Sequence, residues 1–369
     1  SPPHPSDTIA AIATAPGEGA IAILRLSGPD TFAIADRLFR CPAPPPSKRA
    51  PGTFARGAAV DPASGETLDD ALALIFRAPH SYTGEDSVEI QCHGGTQSAR
   101  RILQALLAVG ARQAEPGEFT QRAFLNDKID LTQAEAVLDL IHARSERAAR
   151  LATAQLGDAL GRRLRALYDA LLAATADLES MLDFPDDELP QSVPTQIATR
   201  LAAISAEIQT LLDTWSEGHL LREGARIVIA GAPNVGKSTL LNLLVGRDRA
   251  IVSPRPGTTR DTIEESVTLC GYPFQLIDTA GLRDAPCEIE QEGIRRTHQA
   301  LAEADLCVCL VDASRPLSPE ETAFLNTHDP GKLLVLLNKI DLGPQVHPEN
   351  LPGLDCMPVS LKQSPPITL

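Results

Sequence analysis

The sequence predicts a multidomain protein: an N-terminal α+β domain, a helical domain, and an α/β domain built on a mostly parallel sheet. Three observations lead to this prediction. Short apolar segments alternate with helix-like stretches over residues 1–125. Within residues 126–221, a long stretch without proline carries apolar residues at helical spacing. Over residues 222–369, several short apolar runs each end in small or polar residues, as buried parallel strands do. We expect the domain boundaries to follow these three ranges.

Composition and charge narrow the classes of function. Of 369 residues, 43% are hydrophobic and 22% are charged, and the formal net charge is −15. This acidity argues against a broad basic face, so any contact with RNA should depend on shape or be shared with a partner. The seven cysteines form no C-x-x-C pair and indicate neither a zinc site nor a disulfide framework. The sequence shows no bilayer-spanning run and no basic-then-apolar leader, so we expect the cytoplasm and no membrane.

Residues 231–238 carry the pattern G-x-x-x-x-G-K-S, between an apolar run at 226–230 and a helix-like stretch at 239–244. Strand, glycine-rich loop and helix are the context that this phosphate-binding motif needs. Glycines let the N–H groups of the loop surround a phosphate, and the helix start adds partial positive charge. Lys237 can reach the outer phosphates, and the Ser238 hydroxyl can ligate Mg²⁺. The alternative is a chance glycine turn.

A second motif, and a threonine between it and the glycine-rich loop, make this signal more specific. Residues 278–281 read D-x-x-G after an apolar run. Asp278 can hold a water on Mg²⁺, and the Gly281 N–H can sense a terminal phosphate. Thr259, which lies between the loop and that run, can offer the metal a second hydroxyl.

The segment Asn338-Lys339-Ile340-Asp341 selects the base. A carboxylate at Asp341 accepts two N–H bonds from the Watson–Crick edge of guanine. Adenine lacks that donor pair and would leave the carboxylate unpaired. In order and each after an apolar run, the motifs predict a Ras-like P-loop G domain that binds guanine nucleotides, as opposed to a coincidental α/β domain.

The residue that positions the attacking water is not given by the motifs. Leu282 stands where Ras-type enzymes carry a water-orienting Gln, and it has no polar side-chain atom. The expected substitute is a carboxylate in the next segment, Glu288, Glu290 or Glu292. A monovalent cation beside the phosphates, held by the amide oxygen of Asn234, could replace the charge of an arginine.

The roles of several polar residues in the first domain, and of the apolar stripes in the second, stay open at the level of the sequence. Arg25 and Glu89 interrupt apolar strands, and His93 follows a strand end, but each alone is more often part of a solvated face than of a site. A helix is expected from a cap at Thr195 to about Trp215. The helical block carries more apolar stripes than it can bury, so it needs further chain or a second copy.

Beyond these motifs, the chain resembles the tRNA-modification GTPase family MnmE, also called TrmE, through nearly its whole length. The likeness is carried by segments outside the generic GTPase motifs. These segments are 23–28 (ILRLSG), 82–86 (YTGED), 93–95 (HGG), 116–120 (PGEFT), 122–128 (RAFLNDK), 183–185 (DFP) and 221–224 (LREG).

The resemblance implies an N-terminal domain that forms a homodimer and binds 5-formyltetrahydrofolate or a related folate. The matching positions for the folate are Arg25, Glu89 and Lys128. It also implies an FAD-dependent partner of the MnmG type, with tRNA as the substrate. The modification is the addition of an aminomethyl or carboxymethylaminomethyl group at the wobble uridine.

In the G domain, the resemblance implies Mg²⁺ on Ser238 and Thr259. It implies a K⁺ site formed by Asn234 with the loop that holds Ser253, Arg255 and Thr258, and K⁺-dependent pairing of two G domains that stimulates hydrolysis. It assigns the catalytic roles to Lys237 and to Glu290, which positions the water. The implied nucleotide-binding positions are Asn234, Val235, Gly236, Lys237, Ser238, Thr239, Ser253, Thr258, Thr259, Asp278, Thr279, Ala280, Gly281, Asn338, Lys339 and Asp341.

The family continues past the G domain with more helices and ends in a C-x-G-K tail. This sequence stops at Leu369, shortly after Val359-Ser360-Leu361-Lys362, where a guanine-contacting loop of the S-A-K type is expected. We therefore expect the C-terminal part of the helical domain to be absent. The G motifs alone are also compatible with a different class, a GTP-switched ribosome-assembly or scaffold GTPase of the Era type. A folate-binding N-terminal domain would distinguish the two.

Overall fold

The structure is a computed structural model. It describes residues 7–42, 44–183, 192–247, 264–278 and 301–362. The chain divides into two compact units. The first runs to Val137 and takes in Leu156–Gly161, and the second comprises Leu138–Gln155 and the described residues from Arg162 onward. The three-domain boundaries expected from the sequence stay a prediction.

The first unit is an α+β fold, as expected. Its described strands are β1 (Ile9–Ile12), β2 (Ile21–Ser27), β3 (Phe39–Arg40), β4 (Phe54–Val60), β5 (Thr67–Phe76), β6 (Ser87–His93) and β7 (Arg112–Gln113). Its described helices before residue 130 are α1 (Thr31–Leu38), α2 (Thr96–Ala108) and α3 (Glu118–Leu125). The strands form one sheet in the order β3-β4-β5-β6-β2-β1-β7, antiparallel except for the β1–β7 pair.

Alternation along β2 decides which face of this sheet is covered. Leu24 and Leu26 are fully buried and pack in one core with residues of α1 and α2. Successive strand residues point to opposite faces, so Ile23 and Arg25 lie on the other face. Both are only half-buried. The sheet therefore has one closed face and one face that carries polar and half-exposed apolar side chains.

A partly buried charge network joins α3 to Asp7, which lies just before β1. The Arg122 guanidinium, 6% exposed, bonds Asp7 Oδ1 at 2.5 Å and Glu118 Oε1 at 3.2 Å. Arg112 also donates to Glu118 and to Asp7. Burial alone would raise the pKa of Glu118, but the hydrogen bonds from Arg112, from the Glu115 N–H and from Arg122 lower it overall. The network therefore holds ionised carboxylates in place, because each buried charge has a partner of opposite sign.

The helical segment contains α4 (Leu131–His142), α5 (Glu146–Leu156), α6 (Ala159–Asp183), α7 (Ser192–Asp213) and α8 (Trp215–Glu223). The predicted cap at Thr195 is wrong, because α7 begins at Ser192. Pro194 fits the first turn, where a backbone N–H has no helical partner. The predicted end near Trp215 is close to the observed end of α7 at Asp213. The Thr214 N–H and hydroxyl both donate to the Leu211 carbonyl, and α8 follows from Trp215.

In the second unit, several apolar side chains of the helices stay exposed. Ile141 of α4 and Leu182 of α6 are 72% and 79% exposed, and Tyr168 and Leu172 of α6 are also exposed. Ile141 and Leu182 belong to the apolar stripes that the sequence predicted to exceed the burial capacity of the block, whereas Tyr168 and Leu172 lie outside those stripes. The described helices therefore do not cover all of their apolar surface.

The rest of the second unit is an α/β fold with a mostly parallel sheet, as expected. Its described elements are β8 (Ala225–Gly231), α9 (Lys237–Arg247), β9 (Glu264–Leu269), β10 (Tyr272–Asp278), β11 (Leu306–Asp312), α10 (Pro319–Thr327), β12 (Leu333–Asn338) and β13 (Asp355–Pro358). The strand order is β13-β12-β11-β8-β10-β9, and every neighbouring pair is parallel except β9–β10. The sheet is buried on both faces, which explains why its strands read as continuous apolar runs.

Cys307 and Cys309 of β11 lie in the core of this sheet. Burial raises the pKa of each thiol to about 12. They are protonated packing residues at neutral pH.

The β9–β10 hairpin contacts helices of the same unit. The Arg147 guanidinium of α5 lies 4.6 Å from the centre of the Tyr272 ring and forms an ion pair with Glu217 of α8. The Tyr272 hydroxyl donates to the same Glu217 carboxylate at 3.1 Å, and Thr268 donates to the Arg144 carbonyl at 3.3 Å. The hairpin is thereby tied to both helices.

Two kinds of feature are absent from the described residues. In those ranges no helix combines the length and the apolar character needed to cross a bilayer. The same part of the chain contains no cluster of three or more His, Cys, Asp or Glu side chains arranged to hold a metal.

Candidate functional site

The glycine-rich loop connects β8, in the middle of the sheet, to α9. Gly231 has φ +142°, and a Cβ there would lie 2.4 Å from the Leu310 carbonyl oxygen. Gly236 has φ +111°, and a Cβ there would lie 2.6 Å from Asn338 Nδ2. Only glycine satisfies both the backbone angle and the space at these two positions. The loop is thus shaped as a backbone cradle at the carboxyl end of a parallel strand, where α/β sheets bind ligands.

Lys237 is the first residue of α9 and is 8% exposed. Its Nζ donates to the carbonyl oxygens of Gly231 and Ala232, both at 2.8 Å. These bonds hold a buried ammonium across the loop, next to the N–H groups of the first helical turn. A phosphate would meet positive charge from both the side chain and the helix start.

The remaining loop residues differ in what they present. Val235 is buried among core residues and anchors the loop. Asn234 is exposed and has a left-handed φ of 62°. Ser238 and Thr239 are exposed in the first turn of α9, so their hydroxyls are accessible. A hydroxyl oxygen beside a phosphate cradle is a suitable ligand for Mg²⁺, so the donor at Ser238 fits that ion.

Asn338, at the end of β12, connects this loop to the segment that follows β13. It is 4% exposed. Its Nδ2 donates to the Val235 carbonyl at 2.7 Å, and its Oδ1 accepts from the Leu361 N–H at 3.0 Å. Leu361 itself is buried in the core beside the loop. One side-chain amide therefore fixes the spacing between the phosphate cradle and the predicted base-binding segment.

The base-binding segment runs from the last residue of β12 through Lys339 into a short 3₁₀ helix at Ile340–Leu342. Lys339 has a left-handed φ of 66°, and its Nζ forms an ion pair of 2.6 Å with Asp312 Oδ2. Asp341 is exposed, and its Oδ1 accepts from the Ser360 hydroxyl at 2.7 Å. The Asp341 carboxylate is thus oriented by a neighbour and accessible to a ligand.

The Asp312–Lys339 pair was not among the residues singled out from the sequence. The available signal was an aspartate that directly follows a buried strand, because the carboxyl ends of parallel strands meet at one edge of a sheet. Arg25 likewise has two neighbours that were not singled out as site residues, the rings of Tyr82 and Phe119.

Several predicted positions cannot be placed. Asp278 ends β10, and only its backbone is described. The following lie outside the described residues: Ser253, Arg255, Thr258, Thr259, Thr279, Ala280, Gly281 and Glu290.

In the first unit, Arg25 and Glu89 face each other on neighbouring strands β2 and β6. Arg25 Nε and Nη2 contact Glu89 Oε1 at 2.8 and 2.7 Å. The ring centres of Tyr82 and Phe119 lie 4.9 and 5.6 Å from the guanidinium carbon. An ion pair flanked by two aromatic rings can hold a flat, polar ring system by stacking and hydrogen bonds.

Lys128 lies at the same loop that carries Tyr82. Its Nζ donates to the Pro79 carbonyl at 3.0 Å. Its aliphatic stem lies beside Gly84, where an added Cβ would come 3.1 Å from Lys128 Cγ. Lys128 is exposed. The loop at 79–84 therefore contacts Lys128 on one side and Arg25, through Tyr82, on the other.

His93 belongs to neither constellation. Its Nδ1 lies 2.6 Å from Asp69 Oδ1, and Asp69 also accepts from the Ser98 hydroxyl. The hydrogen bond with Asp69 raises the pKa of His93, and the ring is 74% exposed. These contacts fasten the end of β6 to α2.

The glycine cradle, the buried lysine across it and the asparagine that ties it to an oriented carboxylate define the second unit as a P-loop nucleotide-binding fold of the GTPase class. Residues 8–128 match the family described as GTP-binding protein TrmE N-terminus, and residues 131–365 match the MnmE helical domain. The chain belongs to the family of tRNA modification GTPases MnmE, which confirms the resemblance found in the sequence.

Curated relatives support the same family. The chain is 49% identical over 340 residues to the tRNA modification GTPase MnmE of Symbiobacterium thermophilum, covering 92% of this chain and 74% of that protein. The identity to the tRNA modification GTPase MnmE of Moorella thermoacetica is 48%, covering 91% of this chain and 72% of that protein. The identity to the tRNA modification GTPase MnmE of Geobacter metallireducens is 45%, covering 96% of this chain and 78% of that protein. A solved Era from Aquifex aeolicus bound to GDP·AlF4⁻ is 29% identical over 37% of this chain and 51% of its own, with a TM-score of 0.28, too low to define a common fold.

Proposed function

We propose that this chain binds and hydrolyses GTP and, with an FAD-dependent partner of the MnmG type, modifies C5 of the wobble uridine of tRNA in the cytoplasm. The added group is aminomethyl or carboxymethylaminomethyl. The observation that carries the GTP-binding part of the proposal is the clamp by Asn338, which ties the phosphate cradle to Leu361, next to the Ser360 that orients the Asp341 carboxylate. Relatives that carry the name tRNA modification GTPase supply the substrate class.

In this proposal, different residues of the chain bind the phosphates, the base and the metal ion. The N–H groups of residues 234–239 and the Lys237 ammonium would hold the phosphates, and Asp341 would accept from guanine. Ser238 and Thr259 would hold Mg²⁺, with Asp278 acting through a water. When bound, the ion neutralises charge that develops on the phosphates. The backbone of residues 278–281 would sense the terminal phosphate.

Hydrolysis needs a group that orients water and a positive charge that offsets the transition state. We assign the first role to Glu290 and the second to K⁺ held by Asn234 with Ser253, Arg255 and Thr258. The exposed side chain and left-handed backbone of Asn234 support this assignment, because its amide oxygen is accessible beside the cradle. K⁺ would also favour the pairing of two G domains.

GTP turnover is expected to be about tenfold faster in KCl than in NaCl at equal ionic strength, because a charge placed beside the phosphates lowers the barrier of the transition state. Phosphate release measured in both salts, at saturating GTP and fixed Mg²⁺, tests this. GDP affinity in the two salts is the control, since the cradle does not depend on the cation. Equal turnover in both salts would remove K⁺ from the mechanism and leave the nucleotide site intact.

We further propose that the first unit binds a formyl-tetrahydrofolate at Arg25, Glu89 and Lys128, and that it forms the homodimer. The aromatic rings over Arg25 support a ligand with a flat heterocycle. Ile21 and Phe54, 59% and 64% exposed, support the dimer, because strand register places both on the sheet face of Arg25. A chain that sediments as a monomer at micromolar concentration would contradict the dimer.

Arg25→Ala is expected to weaken 5-formyltetrahydrofolate binding by about 30-fold, because it removes a charge-assisted hydrogen-bond donor and leaves Glu89 unpaired. Isothermal titration with the folate measures the change. Arg101→Ala is the matched control, since Arg101 is an exposed arginine of α2 that pairs with Glu66 and lies away from the face of Arg25. Intact binding in Arg25→Ala would refute the pocket. Absence of folate binding by the unaltered chain would favour a scaffold GTPase, which has no use for this ligand.

A further inference from the structure

The end of β11 is fixed to the end of β12 just where the base-binding segment begins. Asp312 pairs with Asn338 in the parallel ladder. The Ala313 N–H donates to the Asn338 carbonyl at 2.8 Å, and the Ala313 carbonyl accepts from the N–H groups of Gln345 and Val346. Asp312 therefore stands on a backbone that has little freedom to shift relative to Asn338.

The two oxygens of the Asp312 carboxylate have different partners. Oδ2 accepts from Lys339 Nζ at 2.6 Å. Oδ1 accepts from the Ser314 N–H at 3.1 Å and from the Ser314 hydroxyl at 2.6 Å. Burial would raise the pKa of Asp312, but the bonds from Lys339 and Ser314 lower it overall, so the group is charged at neutral pH. Ser314 thus holds the carboxylate in the orientation that receives the lysine.

The neighbouring arginine forms its hydrogen bonds with a different carboxylate. Arg315, the nearest cation along the chain, donates to both carboxylate oxygens of Glu321 at 2.9 and 2.7 Å. Glu321 in turn caps α10 through Ser318. The Lys339 ammonium is therefore matched to Asp312, and the Arg315 guanidinium to Glu321.

We propose that Asp312 is a positioning residue for guanine recognition: by holding the Lys339 ammonium, it fixes the four-carbon stem of that lysine as an apolar support for the purine beside Asp341. Lys339 stands between two residues that are already fixed, Asn338 at the phosphate cradle and Asp341 at Ser360. A free lysine stem samples many rotamers, and tying its end removes most of them before the ligand arrives. This inference rests on the proposed guanine-nucleotide site.

Asp312→Asn is expected to weaken GDP binding about tenfold, mainly through faster dissociation, because the amide no longer anchors the ammonium and the support loses its preorganisation. Stopped-flow measurements with fluorescent GDP on the full chain give both rate constants. Asp329→Asn is the matched control. Asp329 precedes β12 at the opposite end of the strand from Asn338, and its Oδ1 accepts from the Gly331 N–H. We expect unchanged GDP binding in that variant.

A double-mutant cycle separates positioning from a general effect on stability. In a Lys339→Met background, Asp312→Asn should cause no further loss of GDP affinity, since Asp312 acts through the ammonium. An equal loss in both backgrounds would overturn the inference, as would GDP affinity unchanged by Asp312→Asn in a chain that prefers guanine. A chain that binds ADP as well as GDP would instead overturn the proposed function.

Ser314→Ala provides a second variant in case Asp312→Asn fails to fold. It removes one bond that orients the carboxylate and leaves the charges in place, so a smaller loss of about threefold in GDP affinity is expected. Thermal unfolding of each variant shows whether the fold is retained. Unchanged GDP affinity in a folded Ser314→Ala chain would also count against the proposal.

Discussion

Asp341→Asn is expected to invert the base preference of the nucleotide site, from guanine to xanthine. The loss of GDP affinity should be about 100-fold or more, because an amide presents a donor where guanine also presents one. Xanthine carries a carbonyl at position 2 where guanine carries an amino group. The amide nitrogen of Asn can donate to that carbonyl, while the amide oxygen accepts from the N1–H of the base.

The structure supports this prediction, because the contact that orients the Asp341 side chain should be retained in the variant. Ser360 donates its hydroxyl to Asp341 Oδ1. In Asp341→Asn the same hydroxyl can donate to the amide oxygen, which leaves the nitrogen at the position of the other carboxylate oxygen. The backbone of the segment is held separately by the Asn338 clamp and should not move.

Competition between labelled GDP and unlabelled GDP, XDP and ADP measures the preference. Asp355→Asn is a suitable control, because Asp355 begins β13 and lies at the other end of the parallel strands from Asn338. The control should keep the guanine preference. If Asp341→Asn kept it too, Asp341 would not read the base, and the guanine assignment would lose its main residue.

Glu290→Ala is expected to reduce GTP turnover by about 100-fold or more while GTP affinity stays near normal. A carboxylate that orients water acts on the transition state, so its loss lowers kcat and leaves nucleotide binding in place. The argument starts from Leu282, which cannot accept a hydrogen bond at the position where a water-orienting side chain is otherwise found.

Glu288→Ala and Glu292→Ala are the matched controls for this prediction, because all three carboxylates belong to the same segment. Single-turnover hydrolysis and GTP affinity measured on the three variants assign the role to one of them. A collapse in Glu288→Ala or Glu292→Ala, with Glu290→Ala active, would move the role to that residue. Loss of GTP affinity in Glu290→Ala without loss of turnover would make Glu290 structural.

The sequence predicted the fold well where one periodicity dominates. The buried strands of the second unit appear as apolar runs because both faces of the sheet are covered. The glycine-rich loop directly follows β8, and the base-binding segment begins at the end of β12. The helix ends were predicted less well. Thr195 has the chemistry of a cap, but Pro194 already occupies the first turn of α7. Local propensity cannot decide between two starting signals that lie next to each other.

Pairings between distant residues could not be predicted from either partner alone. Arg25 and Glu89 each resemble a residue on a solvated face, and only the antiparallel register of β2 with β6 makes them an ion pair. Asp312 is 27 positions from Lys339. Their contact exists because β11 and β12 are parallel and end at the same edge of the sheet.

The sequence by itself determined the phosphate-binding loop, the order of the nucleotide motifs and the family, since each depends on residue types at fixed spacing along the chain. The tertiary structure decided how these parts are held: Asn338 between the cradle and Leu361, Asp312 on Lys339, and two aromatic rings over Arg25. The physical reason is that spacing along a chain fixes local backbone geometry, whereas contacts between side chains depend on strand order and register, which the whole core sets.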